Sequence, residues 1–290
     1  MIILFPLDYS GTGVDRAFTD EYNAAIENDI SVVFFDQKLW DTQKQIKINS
    51  SMPKVDDIVI YRGWMMKPEE YRVFYQLLSE KNIYLLTIPD AYERFHLFPN
   101  VYEYIKKDTP PILQFSPKDR IDVSKIEKSL GDFMIKDSVK SAKNTDFPKY
   151  FKKDTSQHEF DRWMKRFYEI RGTLFTGNII AKKYVPLKQY AGKTNEFRVF
   201  YLNGFPISIS RNSLQDNITP MVPDNLVNKY SNLPSLFYTV DYAELEDESW
   251  VIIEAGDGGV SGPSPDQNLF SFYRNIKIAM DKDDYIQEIE

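Results

Sequence analysis

Short apolar runs alternate with amphipathic stretches over the first hundred or so residues. Ile2–Phe5, Ser31–Phe35, Asp57–Gly63 and Asn82–Leu86 each read as a buried strand. Between them, Asp15–Asp29 carries a helical apolar period. Pro68–Asn82 opens on proline and acids and closes on Lys-Asn, the signals of helix start and stop. Strands alternating with helices predict a parallel α/β layer, a Rossmann-like unit over residues 1–109. The paired prolines within Asp108–Phe115 break this rhythm and mark entry into a second domain, residues 110–290.

The pattern of the second part is different. Asp132–Lys143 predicts a strand running into a basic loop, Gln157–Gly172 an amphipathic helix stopped by glycine, and Asn178–Leu187 a strand ended by Pro186. Asn195–Arg211 reads as two strands around Asn203–Gly204, a strong hairpin signal. Tyr238–Gly258 reads as another hairpin and Asn268–Met280 as a closing helix. The expected class here is α+β with antiparallel sheets.

Composition narrows the chemistry. A net charge of −7 argues against a general nucleic-acid role, which would rest on phosphate contacts. With no cysteine, thiol nucleophiles, disulfides and cysteine-held zinc are excluded. The 2 histidines, His96 and His158, are too far apart for a histidine-rich zinc site. His96 lies among aromatics and is expected in the core; His158 begins a polar helix and is expected to be exposed. The apolar start is too short for a signal peptide, and no apolar run approaches the ~20 residues of a membrane span, so a cytoplasmic location is expected.

The last hairpin carries the first chemical signal. If its turn is centred between Asp247 and Glu248, Asp241 and Glu254 face each other with Cβ atoms roughly 4.5–5.5 Å apart. Two carboxylates so placed repel unless a cation lies between them, and Mg²⁺ or Mn²⁺ prefers such oxygen ligands. The alternative is a turn displaced by one residue, or two solvated acids. Lys136 ends an apolar strand, with Lys140 and Lys143 close behind; a lysine projecting into a cleft suits phosphate oxygens, whereas a plain basic loop is solvated surface. In the strand around Arg198, alternation puts Glu196, Arg198 and Phe200 on one face. The guanidinium either clamps a phosphoryl group or lies on an exposed sheet face.

Taken in order, the strand lysine, the basic loop, KKYVPL, NEFRVF-NG, VDYA and WVIIEAGDG resemble the ATP-grasp superfamily, over roughly Pro110–Met280. The branch most similar has an arginine and two lysines in its nucleotide site. That resemblance implies an α/β pre-ATP-grasp domain before the ATP-grasp domain, with ATP and Mg²⁺ (or Mn²⁺) as cofactors. It implies phosphate contacts from Lys136 and from Lys140 or Lys143, and adenine contacts along Lys182, Lys183, Tyr184 and Val185. It gives Arg198 and Lys143 catalytic roles near the phosphates, with Glu196 beside them in the nucleotide site. Asp241 and Glu254 would hold the metal, with Asp257 as candidate third ligand because Gly256 stands where relatives often have Asn. The glycines around Asp257 would let backbone approach metal and phosphates.

Most members of this superfamily are ligases that join a carboxylate to an amine through an acylphosphate. The expected substrates are small-molecule or peptide carboxylates and amines, with no nucleic acid and no membrane. A kinase on the same scaffold, or a nucleotide-binding regulatory protein without turnover, are the alternatives. Arg62 and Asp8 end predicted parallel strands, where ligands gather in open α/β sheets, and are candidate substrate contacts with Arg211. Arg62 has a plainer alternative, pairing with a neighbouring acid to fix its loop.

Overall fold

The computed structural model describes residues 1–49, 57–139, 142 and 145–287. Its first sheet is built from β1 (Ile2–Pro6), β2 (Ser31–Phe35), β3 (Ile58–Tyr61) and β4 (Tyr84–Leu85), all parallel in the order β2-β1-β3-β4. The helices between them are α1 (Thr19–Glu27), α2 (Gln37–Gln43) and α3 (Pro68–Ser79), followed by α4 (Pro89–His96) and α5 (Phe98–Ile105). The strands are apolar throughout because both faces are covered. Leu4, Val33 and Val59 pack with Trp40 of α2 and Phe74 of α3. Ile3, Phe5 and Ile60 pack on the opposite side with Ala24 and Ala25 of α1.

The second sheet joins β5 (Ile112–Phe115), β6 (Phe133–Asp137) and β7 (Ile179–Lys183) in the antiparallel order β5-β7-β6. It is backed by α6 (Val123–Leu130) and α7 (Gln157–Arg171), whose Ile126, Leu130, Phe160 and Phe167 meet Phe133, Ile135 and Ala181. After a small ladder, β8 (Gln189–Tyr190) with β9 (Lys193–Thr194), comes the third sheet. It contains β10 (Glu196–Leu202), β11 (Phe205–Arg211), β12 (Phe237–Glu244) and β13 (Trp250–Asp257), antiparallel in the order β11-β10-β12-β13. Helix α8 (Asp224–Lys229) precedes β12, and α9 (Leu269–Gln287) closes the described chain.

Alternation divides the third sheet. Phe197, Val199, Tyr201, Tyr238, Val240 and Tyr242 form a core with Val101 and Ile105 of α5 and Val227 of α8. Phe200, Leu202 and Phe237 turn the other way, to α9 and the back of the first sheet. Packing therefore crosses the expected boundary at residue 109, because α4 and α5 lie on β13 while α9 lies on α1. Residues 112–115 form a paired strand, not a linker. Helices α2, α4, α5 and α6, each 7 or 8 residues long, are additions to the elements read from the sequence.

Both late hairpins form. Asn203 and Gly204 take φ of 49° and 79°, the left-handed pair that a two-residue turn matched to strand twist requires. In the other hairpin, Asp241 pairs with Glu254 as expected, but the turn is not where that pairing alone would centre it. Leu245 N donates to Ser249 O at 2.8 Å, which centres the turn on Asp247. Beyond Asp241 the register shifts, Tyr242 pairing with Ile252, so that Ile253 is an extra residue in β13. The bulge absorbs the offset.

Candidate active site

Lys136 on β6 and Lys182 on β7 share one face of the second sheet, since Lys182 lies opposite Met134. Both are buried, and their Nζ atoms lie 4.6 and 4.5 Å from the ring centre of Phe98, the first residue of α5. An aromatic face between two ammonium groups offsets part of their desolvation. Lys136 Nζ donates to both oxygens of Glu254, at 3.1 and 3.0 Å. Lys182 Nζ donates to the carbonyl of Ile253, the bulge residue, at 2.7 Å. Burial pushes the Lys182 pKa down to about 7; nearby Glu254 opposes that shift and nearby Lys136 adds to it.

The third sheet supplies the facing row. Arg198 on β10 pairs with Asp241 on β12, which pairs with Glu254 on β13, so the three side chains stand side by side on one face. Arg198 holds the buried Asp241 carboxylate through Nε and Nη2 at 2.8 and 2.7 Å, and Nη1 donates to Gly262 O at 2.8 Å. Glu254 keeps 42% of its side chain exposed, which leaves it open to the cleft. Two carboxylates side by side need positive charge, and here each has its own cation: Arg198 on Asp241, Lys136 on Glu254.

Among the described residues no group of three or more His, Cys, Asp or Glu is arranged to hold a metal. Two hard carboxylates on one face still fit Mg²⁺, which takes one or two protein carboxylates and fills its remaining positions with phosphate oxygens and water. The donor set suits a metal arriving with a polyphosphate better than a cage built by protein alone.

The remaining expected residues are scattered. Lys140 and Lys143 lie outside the described residues. Lys183 is exposed, Val185 is half-buried, and Tyr184 stacks on Tyr150 with ring centres 4.0 Å apart. Glu196 shares the face of Arg198 and accepts from the Thr194 hydroxyl at 2.5 Å. Arg211 is spent on its own loop, donating to Asp216 O at 3.1 Å and Asn217 O at 2.9 Å. Asp8 accepts from the Ser10 hydroxyl and the Thr12 amide, which hold its pKa below the usual carboxylate range.

Arg62 is placed for a structural task rather than to meet a substrate carboxylate. It is buried in a two-pronged pair with Glu21 of α1, both bonds 2.8 Å, and its Nη1 donates to the carbonyls of Gly258 and Ser261. Tyr273 of α9 donates to the same Glu21 carboxylate at 2.8 Å. Asp257 does not join Asp241 and Glu254. It pairs with Tyr238 on the opposite face of β13, is buried, and accepts from the Gly259 amide at 2.8 Å. Burial raises its pKa to about 7.

The glycines beside Asp257 serve packing. A Cβ at Gly258 would meet the Phe237 ring at 2.7 Å, and one at Gly259 would meet the Tyr61 carbonyl at 2.9 Å. His96 stacks on Tyr92, ring centres 5.0 Å apart, as a packed residue. His158 is exposed.

Three participants lie beyond the expectations from sequence. Glu21 is readable in principle, because an acid on the apolar stripe with Ala24 and Ala25 needs a buried partner. The Lys182 amine and Phe98 are not, since nothing in their spacing ties α5 to β6 and β7.

A protein-family model matches residues 123–276, just over half of the chain. It describes an ATP-grasp domain, family 3 of the clade named for one arginine and two lysines. No curated protein sequence matches the chain. Among solved structures, D-cycloserine synthetase DcsG is similar with TM-score 0.60 at 12% identity, covering 95% of this chain and 98% of that one. The D-alanine–D-alanine ligase of Bacillus anthracis complexed with ATP gives 0.59 at 12%, covering 99% and 98%. ATP-grasp ligase PsnB, complexed with precursor peptide PsnA2 and AMPPNP, gives 0.61 at 11%, covering 97% and 98%. At these identities the likeness is one of fold.

Proposed function

The chain belongs to the ATP-grasp superfamily, in family 3 of the clade named for its arginine and two lysines, and on that footing we propose that it is an ATP-dependent carboxylate–amine ligase. One observation carries the reading: two cations and two carboxylates, Arg198, Asp241, Glu254 and Lys136, aligned between two sheets. The row is charge-balanced as it stands. A nucleotide entering with its metal exchanges partners, so that Lys136 and Arg198 turn to phosphate while Asp241 and Glu254 turn to the cation, and no buried charge is stranded.

In the proposed reaction a substrate carboxylate oxygen attacks the γ-phosphorus and the bond to ADP breaks, giving an acylphosphate. An amine then attacks the acyl carbon, loses a proton, and phosphate leaves. No side-chain nucleophile is needed, which suits a chain without cysteine. Lys136 and Lys182 would bind phosphate oxygens, Arg198 would meet the transferring phosphoryl group, and Asp241 with Glu254 would hold Mg²⁺. The metal, when bound, neutralises charge on the phosphates. The strand end from Lys182 through Lys183 and Tyr184 to Val185 would border the base. The substrates would be a small-molecule or peptide carboxylate and an amine.

The test supplies ATP, Mg²⁺, a panel of amino acids and short peptides, and hydroxylamine as surrogate amine. A ligase releases ADP and phosphate in equal amounts and yields a hydroxamate. ADP accompanied by a phosphorylated hydroxyl and no hydroxamate marks a kinase instead. ATP bound but never cleaved across the panel marks a binder, and either outcome overturns the ligase reading.

A further inference from the structure

A pocket of about 530 Å³ opens at the carboxyl ends of the parallel strands, between the loop after β1, helix α2 and the residues after β3. None of the five charged residues of the cleft lines it. Trp40 and Met66 are buried in its floor, while Tyr9, Trp64 and Met65 stand exposed at its rim. Exposed aromatic and apolar side chains grouped round one cavity mark a binding surface rather than chance exposure.

The polar groups of the pocket are mostly acceptors. Asp8, Asp15, Asp41 and Glu70 face Arg16 and Lys44, and Lys44 is already held by Glu70 at 2.9 Å. The Asp41 carboxylate accepts from the Tyr9 hydroxyl at 2.5 Å and from Gln37 Nε2 at 2.8 Å. The second bond fixes the orientation of the Gln37 amide. Gln37 is only 4% exposed, and its Oε1 has no hydrogen-bond partner. A buried acceptor without a donor is rare and asks what supplies one.

We infer that this pocket binds a primary ammonium carried on an apolar body, the ammonium donating to Gln37 Oε1 and Asp41 and the body lying against Trp40, Trp64 and Met65. An ammonium brings three donors and a positive charge to a site with an excess of acids. Such a site keeps an amine protonated, whereas an amine that attacks an acylphosphate must be neutral. The ammonium held here is therefore a recognition group. It belongs to the partner that offers its carboxylate, an amino acid or peptide with an apolar residue at its amino end. Calling that ligand a substrate rests on the ligase reading; the binding itself does not.

The experiment titrates the full chain, without ATP, with phenethylamine, 2-phenylethanol and 3-phenylpropionate, following tryptophan fluorescence. Phenethylamine binds, and its neutral and anionic isosteres bind weaker by about tenfold or more, as expected when a charge-assisted hydrogen bond is lost. Asp41→Asn, at an exposed position, weakens the amine by a similar factor at an unchanged melting temperature. Gln37→Met does the same, with the melting curve reporting its fold. Equal binding of the three probes, no binding of phenethylamine up to its solubility limit, or variants that bind it like wild type would overturn the assignment. Selective amine binding with no hydroxamate formed anywhere in the panel would sink the ligase reading alone. Hydroxamate formation without amine selectivity would sink the pocket alone.

Discussion

Lys182 carries its amine onto the Ile253 carbonyl and over Phe98, and burial lowers its pKa to about 7. The free protein is therefore half-protonated there near neutrality. A bound triphosphate favours the ammonium and raises that pKa, so binding takes up a proton wherever pH exceeds the free-state value. Affinity for ATP is expected to fall as pH rises above about 7, by at most about tenfold per pH unit. Lys182→Arg keeps its charge across the whole range, because guanidinium does not titrate there. Calorimetric titrations with ATP at about pH 6.5 and about pH 8.5 check this, the slope in wild type being lost in the variant. Equal slopes in the two proteins would remove Lys182 from the nucleotide site.

The strand and hairpin elements show what a sequence makes legible. Asn203–Gly204 announces its hairpin because few residues tolerate two left-handed positions in a row. The Asp241–Glu254 pairing is also readable, yet it holds only because the extra residue Ile253 offsets a turn centred on Asp247. A bulge leaves no mark in apolar alternation, so its consequence, a carbonyl available to Lys182, stays hidden. The short helices α4 and α5 escape the sequence pattern because each offers barely two turns of periodicity and both begin on proline-bearing turns. Arg198, Asp241, Glu254 and Lys136 are legible one at a time, as charges on otherwise apolar strands. Which cation meets which carboxylate depends on how two sheets face each other, and that is long-range information. Asp257 fails as a companion to Glu254 for a simple reason of parity: three residues along a strand lie on the opposite face.

Across the whole molecule, the Arg62–Glu21–Tyr273 group joins the first sheet, α1, α9 and the loop that follows β13. Removing one partner of a buried ion pair leaves the other charged and desolvated. Arg62→Met should therefore cost about 3–5 kcal/mol of stability, and Glu21→Leu combined with Arg62→Met should cost clearly less. Urea denaturation of the two proteins decides it; equal losses would mean that the pair does not lock these elements together. The same loop supplies the Gly262 carbonyl to Arg198, so the buried lock and the cleft share one segment. The account as a whole stands on that cleft being the nucleotide site. Its most direct measurement is calorimetric titration of Mg²⁺ with a non-hydrolysable ATP analogue into wild type, Lys136→Ala, Arg198→Ala and Glu254→Gln. Lys136→Ala and Arg198→Ala should each weaken binding by about tenfold or more, the worth of a hydrogen bond to a charged group, and Glu254→Gln should remove the gain that Mg²⁺ gives. Variants that melt like wild type and bind the analogue with wild-type affinity and metal dependence would contradict it.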